Sequence, residues 1–87
     1  MRKTYQKALQ RYFRSNILLY RGTLHLTQSQ MAERLCMDER SCSDLDRGKT
    51  CCSAVTLALY MAFLCEDVQK FVEGLRNAFD ADKNSAA

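Results

Sequence analysis

The chain has 87 residues, 47% of them apolar, with three glycines, no proline and no tryptophan. That length allows one domain with a small core, and the scarcity of turn formers and β-branched runs favours an all-α fold over a strand fold. The formal net charge of +3 is unevenly spread: residues 1–32 hold Arg2, Lys3, Lys7, Arg11, Arg14 and Arg21 and no acid, and every carboxylate lies from Glu33 onward.

A first helix is expected from about Lys3 to Tyr20. Tyr5, Ala8, Leu9, Tyr12 and Leu19 recur at helical spacing, with Phe13, Ile17 and Tyr20 on an adjoining stripe, and Gly22 with the segment TLHL ends it. Its acid-free, Arg-rich start also has the composition of an organelle transit peptide, a reading set against the need of the fold for this helix. Thr27 then precedes a helical run, QSQMAERL, with Gln30 three residues on, the pattern of a capping box.

Asp38 is placed to cap a third helix over about Glu39–Arg47, where its charge suits the positive helix start. Gly48 follows as the residue able to take a left-handed conformation at the end. Ser53 caps a fourth helix, about Ala54–Leu64, and a fifth spans about Glu66–Phe79 with Val68, Phe71, Val72, Leu75 and Phe79 on one face. The polar, small-residue stretch 80–87 is expected to be a disordered tail, so that residues 1–79 make one domain: a compact five-helix bundle.

Two stretches then stand out, LTQSQMAERL from Leu26 and CSDLDRGK from Cys42. With Ile17 and Arg21 ahead of them, residues 17–64 resemble the Xre/Cro-type helix-turn-helix domains of phage repressors, whose patterns are L-T-Q-x-x-L-A-x-x-L and I-S-x-I-E-x-G-K. The resemblance covers a little over half the chain. It implies a lambda-repressor-like fold and a transcription regulator that binds double-stranded DNA, commonly as a homodimer. It also implies an ion pair between Arg21 and Asp46, base contacts from Glu39, Arg40, Ser43 and Asp44, and phosphate contacts from Thr27, Gln28, Arg47, Lys49 and Thr50. The residues agree with this independently in one respect: Met31, Ala32 and Leu35 from one helix and Met37, Cys42 and Leu45 from the next supply the shared apolar wedge such a pair needs.

The chemistry of that surface is mixed. Arg40, Ser43, Asp44 and Arg47 share one helical stripe; Arg40 suits guanine, and Glu39 or Asp44 suits the amino group of cytosine. The bland reading is a solvated face on which Arg40 and Asp44 merely pair, worth about 0.3–0.5 kcal/mol. Residues 33–49 carry four basic and five acidic side chains, so the surface neutralises few phosphates, and the loop after Gly48–Lys49 reads TCC where the family often has basic residues. Cys36 replaces the family's turn glycine, at a cost of about 1 kcal/mol if left-handed.

The fourth helix, AVTLALYMAFL, is apolar almost all round. Ala54, Leu57, Ala58, Met61 and Leu64 are expected to face the core, leaving Val55, Leu59, Ala62 and Phe63 as a second stripe that something must cover, within the chain or from a second copy. These features keep a second function open: a protein-interaction module on the same scaffold, such as an antirepressor or antitoxin-like partner. Enzymatic chemistry is not expected, since no nucleophile stands beside a base and no phosphate-binding glycine loop occurs. Five cysteines, an odd number with an adjacent pair at Cys51–Cys52, argue against a disulfide framework and for the cytoplasm. With His25 the single histidine and no Cys-x-x-Cys, neither a metal nor another cofactor is expected. The longest apolar stretch is too short to cross a bilayer, so no membrane partner is expected.

Overall fold

The computed structural model describes residues 2–86, with side chains placed over residues 2–81. Five helices follow in order, α1 (Arg2–Thr23), α2 (Gln28–Arg34), α3 (Glu39–Asp46), α4 (Ala54–Leu59) and α5 (Val68–Ala86), with no strand among the described residues. A single π-helical turn, Tyr60–Leu64, continues α4. The chain is an all-α bundle, and none of its described helices is long and apolar enough to cross a membrane.

Helix α1 is the spine. Its 22 residues run about 33 Å at 1.5 Å per residue, and α5 lies antiparallel along it: Tyr5 meets Phe79 at 5.1 Å between ring centroids, and Tyr12 meets Phe71 at 5.2 Å. The other side of α1 packs against α3. Phe13 and Ile17 from α1, Met31, Ala32 and Leu35 from the α2 segment, and Cys42 and Leu45 from α3 close into one buried cluster with Tyr60 and Phe71. Each fully buried side chain of this size contributes about 1.5–3 kcal/mol, so the wedge expected between the second and third helices is the heart of a small core.

Capping defines the short helices. The Thr27 hydroxyl accepts from the Gln30 backbone at 3.1 Å while the Gln30 side chain accepts from the Thr27 backbone at 2.9 Å, the full capping box. An Asp38 carboxylate oxygen accepts from Ser41 N–H at 2.6 Å, and the Ser53 hydroxyl accepts from Thr56 N–H at 3.2 Å. Hydrogen bonds from Ser41, its side chain first and its backbone next, hold the Asp38 carboxyl below its ordinary value.

Three helix ends close by one device. A residue of positive φ follows the cap, its N–H and the next one folding back on the carbonyls of the last turn. At the end of α1, His25 (φ 54°) and Leu26 bond to Gly22 and Arg21; after α2, Cys36 (φ 55°) and Met37 bond to Glu33 and Ala32; after α3, Gly48 (φ 73°) and Lys49 bond to Leu45 and Asp44. Only the last uses glycine. The left-handed turn suspected at Cys36 is present, and His25 holds a second one, each costing about 1–2 kcal/mol relative to glycine geometry.

Four expectations change. Helix α1 continues past Tyr20 to Thr23, and Gly22 sits inside its last turn, because the closure at His25 supplies the stop. Leu19, expected on the inner face, is 70% exposed; the buried line of α1 runs through Ala8, Phe13 and Ile17 instead. On α4, Ala54 and Ala58 are exposed while Thr56 and Tyr60 are buried, because the aromatic ring of Tyr60 fills the space between Phe13 and Phe71 (5.4 and 5.2 Å) and rotates the helix around it. Helix α5 reaches Ala86 in place of the expected tail from residue 80: Asp80, Ala81 and the residues after them include no proline or glycine to stop it. Residue 87, also assigned to that tail, lies outside the described residues.

Candidate nucleic-acid interface

The outer face of α3 is arranged by what its inner acids do. Asp46, only 7% exposed, is hydrogen-bonded and ion-paired to Arg21 from α1. The Gln28 side-chain amide donates to the same carboxylate oxygen at 3.1 Å. One carboxylate thus ties α1, α2 and α3 together, while its second oxygen is buried with no hydrogen-bond partner among the described residues. A second interaction set holds the far end of α3: Arg14 Nε donates to the Asp46 carbonyl at 2.5 Å, and Gln10 Nε2 donates to the Gly48 carbonyl at 2.5 Å. A guanidinium at a helix C-terminus also opposes the negative end of its dipole.

Of the four acids around α3, Asp38 is therefore a cap and Asp46 an internal tie. Glu39 and Arg40 are exposed at the start of the helix, whereas Ser43 and Asp44, one turn further on, are half-buried. The candidate base-reading set is brought onto one helix, with Glu39 and Arg40 as its outermost members.

The candidate phosphate contacts divide. Gln28 is half-buried with its amide on Asp46, and the Thr27 hydroxyl is engaged as the α2 cap. Arg47, Lys49 and Thr50 are exposed. Arg47 lines an open cleft of about 400 Å³ with Lys7, Gln10, Arg11, Arg14 and Gly48. Lys49 and Thr50 line an adjoining depression of about 690 Å³ with Arg2, Gln6 and Gln10 among its walls. Basic residues of α1 that looked remote in the sequence are thereby beside the C-terminal end of α3. The Gln10–Arg14 clamp was missed by sequence reasoning; its only trace is that both residues lie on one side of α1, at i and i+4.

The cysteines are all free. Burial, and next the neighbouring Cys51, push the Cys52 thiol up to about 12, so that this thiol stays protonated at neutral pH. Burial, then the Asp46 carboxylate, raises Cys42 as well. Among the described residues no cluster of side chains fits a metal ion.

Two other regions bear on partners. The stripe left over on α4 is open to solvent: Val55 is 68% and Phe63 78% exposed, with Ala58 and Ala62 exposed between them and Leu59 half-buried. Leu19 on the spine and Leu24 just after it border a pocket shared with Tyr60 and Leu64. No protein-family model, curated protein or solved structure matches the chain.

Proposed function

We propose that this chain is a sequence-specific DNA-binding transcription regulator, a helix-turn-helix protein of Xre/Cro type that acts by occupying an operator. The observation that supports this best is the disposition of the α3 acids. Asp46 is committed to Arg21 and Asp38 to the cap, so the exposed start of α3 presents Arg40 with Glu39 as the one neighbouring exposed acid that holds no structural hydrogen bond among the described residues. Arg40 then reads guanine by a two-pronged hydrogen bond, and Glu39 or Asp44 accepts from cytosine, each good pair discriminating by about 1–3 kcal/mol. A carboxylate in this place lowers affinity for any duplex and raises the penalty for a wrong base, since it is then left unpaired near phosphates. Ser43 is the remaining candidate reader, and Arg47, Lys49 and Thr50 supply phosphate contacts at the other end of the helix. Thr27 and Gln28 add to them at the start of α2 in this reading.

The apolar stripe on α4 supports a two-fold homodimer, in which Val55 and Phe63 are covered by a second copy; the two α3 helices then stand about 34 Å apart, one DNA turn. Reduced cysteines support a cytoplasmic setting. The same exposed stripe, with Gln28 turned inward, favours the alternative of a protein-interaction module with weak or no DNA binding.

Fluorescence anisotropy with a mixed-sequence duplex at low salt separates the two. The regulator reading expects saturable binding that weakens as salt rises, and Lys49→Ala is expected to weaken all sequences alike. Absence of binding at low salt contradicts it and leaves the protein partner.

A further inference from the structure

Resting on the DNA-binding reading above, we propose that the long first helix is itself a DNA-backbone contact, and that Lys3 and Lys7 of α1, with Arg47 and Lys49, form the principal surface for the sugar-phosphate chain. The puzzle it answers is electrostatic. The stretch 33–49 carries more acids than bases, and a surface of that kind gains little from phosphate neutralisation.

The fold supplies what that stretch lacks. Lys3, Lys7 and Arg14 recur along one stripe of α1, and all are exposed. The stripe ends against the C-terminal turn of α3, where Arg14 and Gln10 hold the Asp46 and Gly48 carbonyls. Lys7 and Arg47 line one cleft and Arg2 and Lys49 the next, Gln10 is shared by both, and among the described residues neither lining contains a carboxylate. Among the described residues Lys3, Lys7, Arg47 and Lys49 make no ion pair. Their charge is therefore available to an outside polyanion.

Position favours duplex DNA as that polyanion. Arg47 lies on the same stripe of α3 as Arg40, seven residues or about 10 Å further along, so the basic cleft continues the ridge proposed to read bases. From Lys3 to Arg14 the helix extends about 17 Å, long enough to meet more than one phosphate of a strand. With α3 against the groove, α1 lies along the flanking backbone.

The test is the salt dependence of binding to a mixed-sequence DNA duplex, followed by anisotropy with the full chain. Each lost phosphate contact lowers the slope of log K against log salt by about 0.9. The K3Q/K7Q variant is therefore expected to lower it by about 1.8, so that its disadvantage relative to the wild type shrinks about tenfold between 50 and 200 mM salt. A control with the same charge change, K70Q/R76Q on exposed positions of α5 outside both clefts, is expected to keep the wild-type slope. Circular dichroism melts check that both variants fold as the wild type does. An unchanged slope for K3Q/K7Q, with the wild type still binding, overturns the role of α1 and leaves the regulator reading standing. Equal loss in both variants overturns it too, because net charge and not this face is then responsible. A wild type that binds no duplex at any salt removes the DNA reading and this inference together.

Discussion

The two halves of this bundle handle their surfaces in opposite ways. The α2–α3 unit is short, polar outside and closed at every end: two side-chain caps, two left-handed closures and one buried carboxylate with partners on two other helices. The α4–α5 side has a cap at Ser53 and an aromatic cluster about Tyr60, yet leaves Val55 and Phe63 mostly in solvent. Polar fastenings make a small unit rigid while keeping its outside wettable. An apolar stripe does the reverse, fitting a surface for another macromolecule. In the reading proposed above, the first region holds an exposed arginine in register and the second is covered by a second copy.

The largest expected difference comes from the tie at Asp46. Arg21→Ala leaves a nearly buried carboxylate without its countercharge, and such a break costs roughly 3–5 kcal/mol; the lower end applies, because Arg21 is 28% exposed and Gln28 remains. Denaturant unfolding checks it. Joint replacement by apolar residues, R21M/D46L, should recover most of the loss, since no orphaned charge is left behind. A loss below about 1 kcal/mol in the single variant would place Asp46 in effective contact with water and weaken the contrast between the two halves.

Next comes the seam between α1 and α5. A methyl group on Gly74 would collide with the Tyr12 hydroxyl, which is fixed by donating to the Phe71 carbonyl at 2.7 Å. Gly74→Ala should therefore destabilise by about 1–3 kcal/mol through overpacking, against the roughly 1 kcal/mol that alanine normally gains over glycine in a helix. A thermal melt gives the sign directly.

Smaller effects concern the helix ends. Cys36→Gly should stabilise by up to about 1 kcal/mol, the relief of left-handed strain less the added freedom of the unfolded chain. Asp38 predicts a pH dependence. Its carboxyl has a folded-state value below 3.8, so its contribution is present above that pH and is lost as pH falls through the lower folded value. An Asp38→Ser variant keeps a capping oxygen without the charge. Its melting temperature should fall less steeply than the wild type's below about pH 4.

What could be read in advance follows the same division. The caps at Thr27, Asp38 and Ser53 are local signals, decided by residues three apart, and each was visible in the chain. The Arg21–Asp46 pair was legible only through the family resemblance, and Gln28 as its third member was not, because an amide between helices leaves no periodic trace. The register of α4 escaped for another reason: with apolar residues on every side, the pattern contains no preferred face, and the choice fell to the fit of Tyr60 among Phe13, Tyr20 and Phe71. Burial, with smaller effects of Cys65, Tyr12 and Tyr20, pushes its phenol up to about 12. The left-handed residue at His25 was hidden by Gly22, the more conventional stop three positions earlier. Gly74 did carry a signal, since glycine inside a strongly helical stretch marks close approach, but nothing local names Tyr12 as what approaches.

The claim on which the function rests is that Arg40 stands exposed at the start of α3, with Asp46 tied to Arg21 and Asp38 held in the helix cap. Its most direct measurement is selection from a pool of randomised duplexes, run in parallel for the wild type and Arg40→Ala. The wild type is expected to enrich a defined motif, and the variant to lose preference for guanine at one position of it while the rest is retained. Enrichment of the same motif by both proteins would contradict the assignment of Arg40 and of the face that carries it.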